Sequence, residues 1–403
     1  MTFLLLLAWL HTADTSFARF ADHQNDLFVK AYEARDTVRY NSLLSEFIKR
    51  YDQLDSFDQR NYRGYLENAF YNLSCTFALL NSKDRALLYL DKSIQAGYLD
   101  YMHMSTDSDL TGLHDETRFK TLMAFVRTVG DYRYILGRAG AYNTADQRPL
   151  PAFTYAPATD PHLQALRTAF NLDSIAGKAN DVSQVINLMR WIHNLVPHDG
   201  NHGNPDVANA LAMIAVCKRE HRGLNCRGLA TVLNECYLAM GFKSRFVTCL
   251  PKDSLHVDND CHVINMVYIP SLHKWVWMDP TNEAYVMNEQ GQLLGLAEVR
   301  QRLIDDRPLI VNPDANWNHL SSTLKEDYLY SYMAKNLYIL ECPVASEYDT
   351  EARTTGKTLA YIRLLPLDYF QQGPDKTVHT YPKEQVTFVT YRTNNPEAFW
   401  AAP

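Results

Sequence analysis

The sequence predicts an α+β chain: a helical, repeat-like N-terminal domain, then a domain in which helices pack on an antiparallel sheet, with a small C-terminal β extension. Three observations predict it. Apolar residues recur at spacings of three and four from about Asp22 to Gly130, as amphipathic helices require. Gly140, Pro149, Pro151, Pro157 and Pro161 then interrupt any helix. Beyond Gly241 come three short runs rich in Val, Ile, Phe, Tyr and Trp, bounded by turn residues. These features divide the chain into residues 22–139, a linker at 140–161, a second domain at 162–320 and an extension at 321–403. With 403 residues, 46% of them hydrophobic, each part can bury a core. Thirty-nine basic against 46 acidic residues leave a net charge of −7, which offers no field to attract nucleic acid.

The first element is the apolar run Phe3 to Leu10, eight residues against the roughly 20 needed to cross a membrane. Followed by Ser16-Phe17-Ala18, it resembles a secretory signal peptide within residues 1–21, cut after Ala18. This reading makes the protein exported, periplasmic or extracellular. No Lys or Arg precedes Arg19, and if the run is instead the apolar start of a helix, the protein is cytoplasmic. The seven cysteines form no C-x-x-C pair, which disfavours a zinc ribbon, and their odd number leaves at least one thiol unpaired.

In the helical region, Leu43, Leu44, Phe47 and Tyr51 mark one helix, and Tyr62, Tyr65, Leu66, Ala69, Phe70 and Leu73 another. A helix from Asp84 carries Ala86, Leu87, Leu90 and Ile94 on one side and stops at Gly97, where a left-handed residue is wanted. The preceding helix ends near Leu80, so Asn81-Ser82-Lys83 joins an antiparallel pair. Phe70, Leu73, Ser74, Phe77, Ala86, Leu90 and Ser93 resemble a tetratricopeptide repeat, with Ser where Gly or Ala is usual. The resemblance implies a partner-binding surface; the alternative is plain helical support.

The second domain opens with a helix from Asp181 to Val196, its apolar face ended by Pro197, and helix resumes at Val207 to Val216. His193, His198, Asp199 and His202 cluster ahead of the helix that begins near Cys226. Their spacing fits no helical metal motif, so no metal is expected and the residues read as a loop lining a cleft. Leu229, Leu233, Cys236, Tyr237 and Met240 then recur at helical spacing, which puts Cys226 in the first turn of a buried helix. Unpaired N–H groups and the helix dipole stabilise a thiolate there, and the same N–H groups could hold an oxyanion.

Three strands follow at Ser244 to Leu250, His262 to Ile269 and Lys274 to Met278. A turn symmetric about the Pro270–Ser271 bond sets His262 opposite Asp279, close enough for a carboxylate to orient an imidazole. Cysteine, histidine and aspartate in this order are the parts of a thiol triad: nucleophile, proton shuttle and orienter. Asn225, next to the cysteine, is either the helix N-cap or an oxyanion donor.

These residues resemble the transglutaminase-like superfamily, thiol enzymes with a papain-like core. The resemblance rests on Cys226 before Leu229-Ala230, on Gly241-x-x-x-Arg245, on His262 opening a strand, and on Trp275-x-x-x-Asp279-Pro280-Thr281. Gly223 stands three residues before the cysteine where the family commonly has Gly two before, and Ile264 stands where Trp is common. The resemblance implies Cys226, His262 and Asp279 as catalytic residues, with Asn225 and His198 as oxyanion or cleft residues. It implies no cofactor and a protein or peptide substrate, cell-wall peptide included. Hydrolysis is preferred over crosslinking because no calcium-loop pattern is present; the alternative is a catalytically silent peptide-binding module. Further on, 327–340 read as an aromatic-rich helix whose tyrosines pack a core, Thr358 to Leu364 and Val386 to Tyr391 read as strands, and Phe399-Trp400 as a packing tail.

Overall fold

The computed structural model describes residues 15–252, 260–368 and 373–403. It divides into two compact units between Asp131 and Tyr132. The first is helical, with Thr15–Glu33, Thr37–Tyr51, Ser56–Leu79, Lys83–Ala96 and Thr117–Gly130 as its longer helices. Asp36 and Asp55 cap two of them by accepting backbone N–H bonds. The anticipated stop at Gly97 is real, with φ 119°. Ser74 and Ala86, both fully buried, lie where the two helices of the repeat-like hairpin meet, and the Ser74 hydroxyl donates to the Ala86 carbonyl at 2.8 Å. A small residue is needed at that contact, and serine supplies one with its polarity satisfied. The targeting segment expected at residues 1–21 lies largely outside the described residues. Within them, the Ala18 cut would fall inside the first helix and remove Phe17, which is buried on Phe47 and Tyr62.

The second unit is built on one seven-stranded sheet. Its strands are β1 (Ser244–Leu250), β2 (His262–Ile269), β3 (Lys274–Met278), β4 (Ile339–Pro343), β5 (Thr358–Leu364), β6 (Lys376–Tyr381) and β7 (Val386–Thr393), in the spatial order β6-β7-β5-β4-β1-β2-β3. The sheet is mixed rather than antiparallel as expected, because β5 and β7 run parallel. Helices Asp181–Leu195 and Cys226–Ala239 cover one face through Val267, Ile269, Val276 and Met278; Val247, Ile264, Met266 and Trp277 enter a core on the other. Burial on both faces explains why β1 to β3 read as nearly continuous apolar runs, and why their limits were legible.

Three expectations of organisation are corrected. The 321–403 segment is no separate extension: β4 pairs with β1 and β5, so the C-terminal strands complete the sheet of the second unit. Residues 140–161 are no free linker, since they belong to the second unit and Thr154–Tyr155 pairs with Ala345–Ser346. Prolines broke the helix there without preventing extended pairing. The helix read at 327–340 is a π-helix, Glu326–Met333, followed by the short Ala334–Asn336; the chain turns to strand at Ile339, where it is buried between two neighbours.

The β2–β3 register also differs. A short 3-10 turn, Pro270–Leu272, and His273 at φ 50° join the strands, and Asn265 pairs with Met278. Continuing that register places Asp279 level with Ile264, two residues from His262. Because the shift is even, both side chains stay on the same face of the sheet.

Candidate active site

Cys226 is the first residue of helix Cys226–Ala239, half-buried, and Asn225 is the N-cap. The Asn225 carboxamide oxygen accepts from Gly228 N at 3.1 Å and from Asn204 Nδ2 at 2.7 Å, so the capping alternative is the one the geometry fills. The unusual Gly223 has a different cause. A Cβ there would stand 2.4 Å from the Pro197 carbonyl oxygen, because His198 and Leu224 form a close parallel bridge. Glycine permits that approach, and the approach delivers His198 to the cysteine.

His262 opens β2 and is buried, its Nε2 2.7 Å from Asp279 Oδ2. A carboxylate can only accept, so Nε2 carries the proton and Nδ1 is left for the thiol. Asp279 follows β3 and is itself held on all sides. Tyr328 OH donates to Oδ2 at 2.6 Å, Asn282 Nδ2 at 3.0 Å, and the Thr281 backbone N–H donates to Oδ1 at 2.9 Å. Tyr328 in turn accepts from Trp277 Nε1 at 3.2 Å, while Tyr332 packs edge-on against His262 with ring centres 5.3 Å apart.

His198 completes the group. Trp317 Nε1–H donates to its Nδ1 at 3.1 Å, so the neutral ring carries its proton on Nε2. Asn318 clamps its backbone, accepting from His198 N at 2.7 Å and donating to His198 O at 2.9 Å. Cys226 Sγ lies 4.0 Å from the Cys261 carbonyl oxygen, and His198 and His262 are the groups that set its charge. Burial pushes that thiol up, but hydrogen bonds from His198 and His262, with the charge on His262, outweigh it and bring the pKa down to about 6. Burial disfavours the His262 imidazolium, yet Asp279 and the thiolate raise it to about 10. Burial likewise opposes the Asp279 carboxylate, and His262, Tyr328 and Asn282 hold it well below the usual range. The neighbouring Cys261 shows the contrast: burial and the Cys226 charge push it to about 11.

The site opens on a cleft of about 350 Å³ whose walls include His198, Asn282, Trp317, Thr323, Tyr328 and Tyr332. All three expected triad residues and His198 are thus brought together. Sequence reading missed Tyr328 and Tyr332, taken for core, and gave no role to Trp317 and Asn282. The π-helix carries the first two, and such irregular turns are frequent at functional sites; it leaves no periodic signature in the sequence. Of the other residues of that histidine-rich cluster, His202 pairs with Asp199 at 2.6 Å. His193 stands instead with Glu283 and His319, their ligand atoms all within 4.8 Å of one another.

Residues 168–280 match the family model described as the transglutaminase-like superfamily, a span that includes Cys226, His262 and Asp279. No curated protein matches the chain. Among solved structures, one described as "a Putative Cysteine Protease from Cytophaga hutchinsonii" is similar at 17% identity, with a TM-score of 0.24. That similarity covers 40% of this chain and 57% of the other, so the chain spans little more than half of its length. Residues 168–280 form a transglutaminase-like domain.

Proposed function

We propose that the chain is a thiol-dependent acyl hydrolase acting on peptide or carboxamide bonds. The observation that carries this reading is the placement of Cys226 at a helix N-terminus beside an imidazole that a buried, fully hydrogen-bonded carboxylate orients. The Cys226 thiolate attacks the carbonyl carbon and a C–S bond forms. The negative charge on the carbonyl oxygen is met by the Cys226 backbone N–H and the His198 Nε2–H. When this intermediate collapses, the C–N bond breaks and the leaving amine takes its proton from the His262 imidazolium. Water then attacks the thioester while His262 accepts its proton, the C–S bond breaks, and the acid leaves with the thiolate restored. Asp279 stays ionised throughout and fixes the imidazole tautomer. Trp317 plays the matching part for His198.

Water is the favoured acceptor because the cleft is open and its lining includes the polar side chains of Thr281, Asn282, Ser321, Ser322 and Thr323. The test is iodoacetamide alkylation of the native protein across pH, read cysteine by cysteine by peptide mass spectrometry, with and without His262→Ala. Cys226 is expected to react with a midpoint near pH 6, faster than the other six cysteines, and to lose that advantage in the variant. If Cys226 titrates as an ordinary thiol, the enzyme reading fails and the domain is a peptide-binding module.

A further inference from the structure

The environment of His193 requires a positive particle at a place the mechanism does not use. His193 is 5% exposed, and its Nδ1 lies 3.0 Å from the Pro280 carbonyl oxygen. A carbonyl only accepts, so Nδ1 carries the proton and Nε2 of the neutral ring presents a lone pair. That lone pair faces oxygen. Asn316 Oδ1 is 3.0 Å away and Glu283 Oε2 3.7 Å. The Asn316 amide cannot be turned round to help. Its Nδ2 donates to Glu283 Oε2 at 2.7 Å and to the Asp314 carbonyl at 3.0 Å, and its Oδ1 accepts the His319 N–H at 2.8 Å. Either a second proton or a metal ion must sit at Nε2.

We infer that His193, Glu283 and His319 bind one divalent cation of the zinc class, as a brace for the active site. A proton needs only Nε2 and an acceptor; here a second imidazole also converges, with His319 edge-on to His193 at 4.9 Å between ring centres and open to solvent. Two imidazoles and a carboxylate suit zinc rather than calcium or magnesium, which take oxygen ligands. The bond from His193 Nδ1–H to a backbone carbonyl is the contact that fixes the tautomer and orientation of a metal-bound histidine. The surrounding charges leave room for the ion. Arg190 lies on the far oxygen of Glu283, 3.5 Å from Oε1, and is itself paired with Asp314.

The three ligands come from the three segments that hold the thiol chemistry in place. His193 is on the helix before His198, Glu283 is four residues after Asp279 on the turn whose Pro280 carbonyl His193 binds, and His319 is two residues after Trp317. A bound ion would lock the mutual positions of Asp279 and Trp317 without touching substrate.

The test uses the full chain carrying Cys226→Ala, so that no reactive thiolate competes for metal and the outcome is independent of the proposed activity. Zinc affinity is measured by competition with a chromophoric chelator, and ligand type by X-ray absorption. We expect one zinc per chain with nitrogen and oxygen ligands at about 2.0–2.1 Å. His319→Ala and Glu283→Gln should each weaken binding by at least about tenfold, the scale set by loss of even an outer-shell partner. Zinc should raise the thermal midpoint of the parent and leave that of His319→Ala unmoved; since His319 is exposed, circular dichroism will show that variant folded. Absence of zinc binding, or binding undiminished in His319→Ala, overturns the proposal and leaves His193 as an imidazolium paired with Glu283.

Discussion

Each unit of the molecule holds a cysteine beside an aspartate, a histidine and a tyrosine, and the two groups do opposite things. In the helical unit Cys75 faces Asp107 directly, Sγ to Oδ2 at 3.6 Å; Tyr71 donates to the same oxygen at 2.7 Å and His103 lies 3.7 Å away on the solvent side. In the second unit His262 stands between Asp279 and Cys226, and Tyr328 donates to the carboxylate from behind. Burial and Asp107 push the Cys75 thiol far up, while two imidazoles pull Cys226 down to about 6. The helices add to the contrast. Cys75 is four residues from the C-terminal end of Ser56–Leu79, where the dipole repels a thiolate, and Cys226 is at an N-terminus, where it attracts one. The same four residue types disfavour a thiolate at Cys75 and favour one at Cys226, according to which groups surround the sulfur.

The comparison breaks most decisively at the sulfurs. Cys226→Ser is expected to lower turnover of an activated ester such as p-nitrophenyl acetate by at least about 10,000-fold, on the scale of other nucleophile deletions. Cys75→Ser should leave that rate unchanged. The same outcome in both variants would remove the distinction. His198→Ala should cost about 100- to 1,000-fold in kcat if its Nε2–H meets the oxyanion, whereas His103→Ala should cost nothing. A change confined to KM would demote His198 to a substrate contact.

Acid and base limits sharpen the contrast further. The thiolate is lost as pH falls through the Cys226 value of about 6, and the imidazolium is lost as pH rises through the His262 value of about 10. The rate with an amide such as a p-nitroanilide, whose leaving amine needs the His262 proton, is therefore expected to fall at both ends of that window, and a profile with one limb alone would contradict the ion pair. Smaller effects come from the tyrosines. Tyr328→Phe takes a hydrogen bond from a buried carboxylate and should slow turnover about tenfold, the size expected of a charge-assisted bond only partly replaced. Tyr71→Phe should destabilise the helical unit by about 1 kcal/mol in urea unfolding and leave Cys226 alkylation unmoved.

Much of the candidate site could be read along the chain because its parts carry local signatures. Cys226 follows an N-cap residue and precedes a buried helical pattern, and β1 to β3 are apolar runs between turn residues. The His262–Asp279 contact was anticipated through a register that is two residues off, since the length of the Pro270–His273 turn has no signature; the even shift kept the pair on one face. Tyr328 and Tyr332 were misread because aromatic spacing looks the same in a packed helix and in a π-helix lining a cleft. Trp317 was missed because its partner, His198, is 119 residues away.

Local sequence alone determined most of the helices, five of the seven strands of the sheet, and the identity and order of cysteine, histidine and aspartate, because periodicity, capping and turn preference act over a few residues. Tertiary structure decided the rest: the joining of the four C-terminal strands to the sheet, the second imidazole on Cys226, the tyrosine behind Asp279, and the convergence of His193, Glu283 and His319. Each of these depends on the meeting of segments far apart in the chain, where distance and direction, rather than residue type, set the charge on an atom.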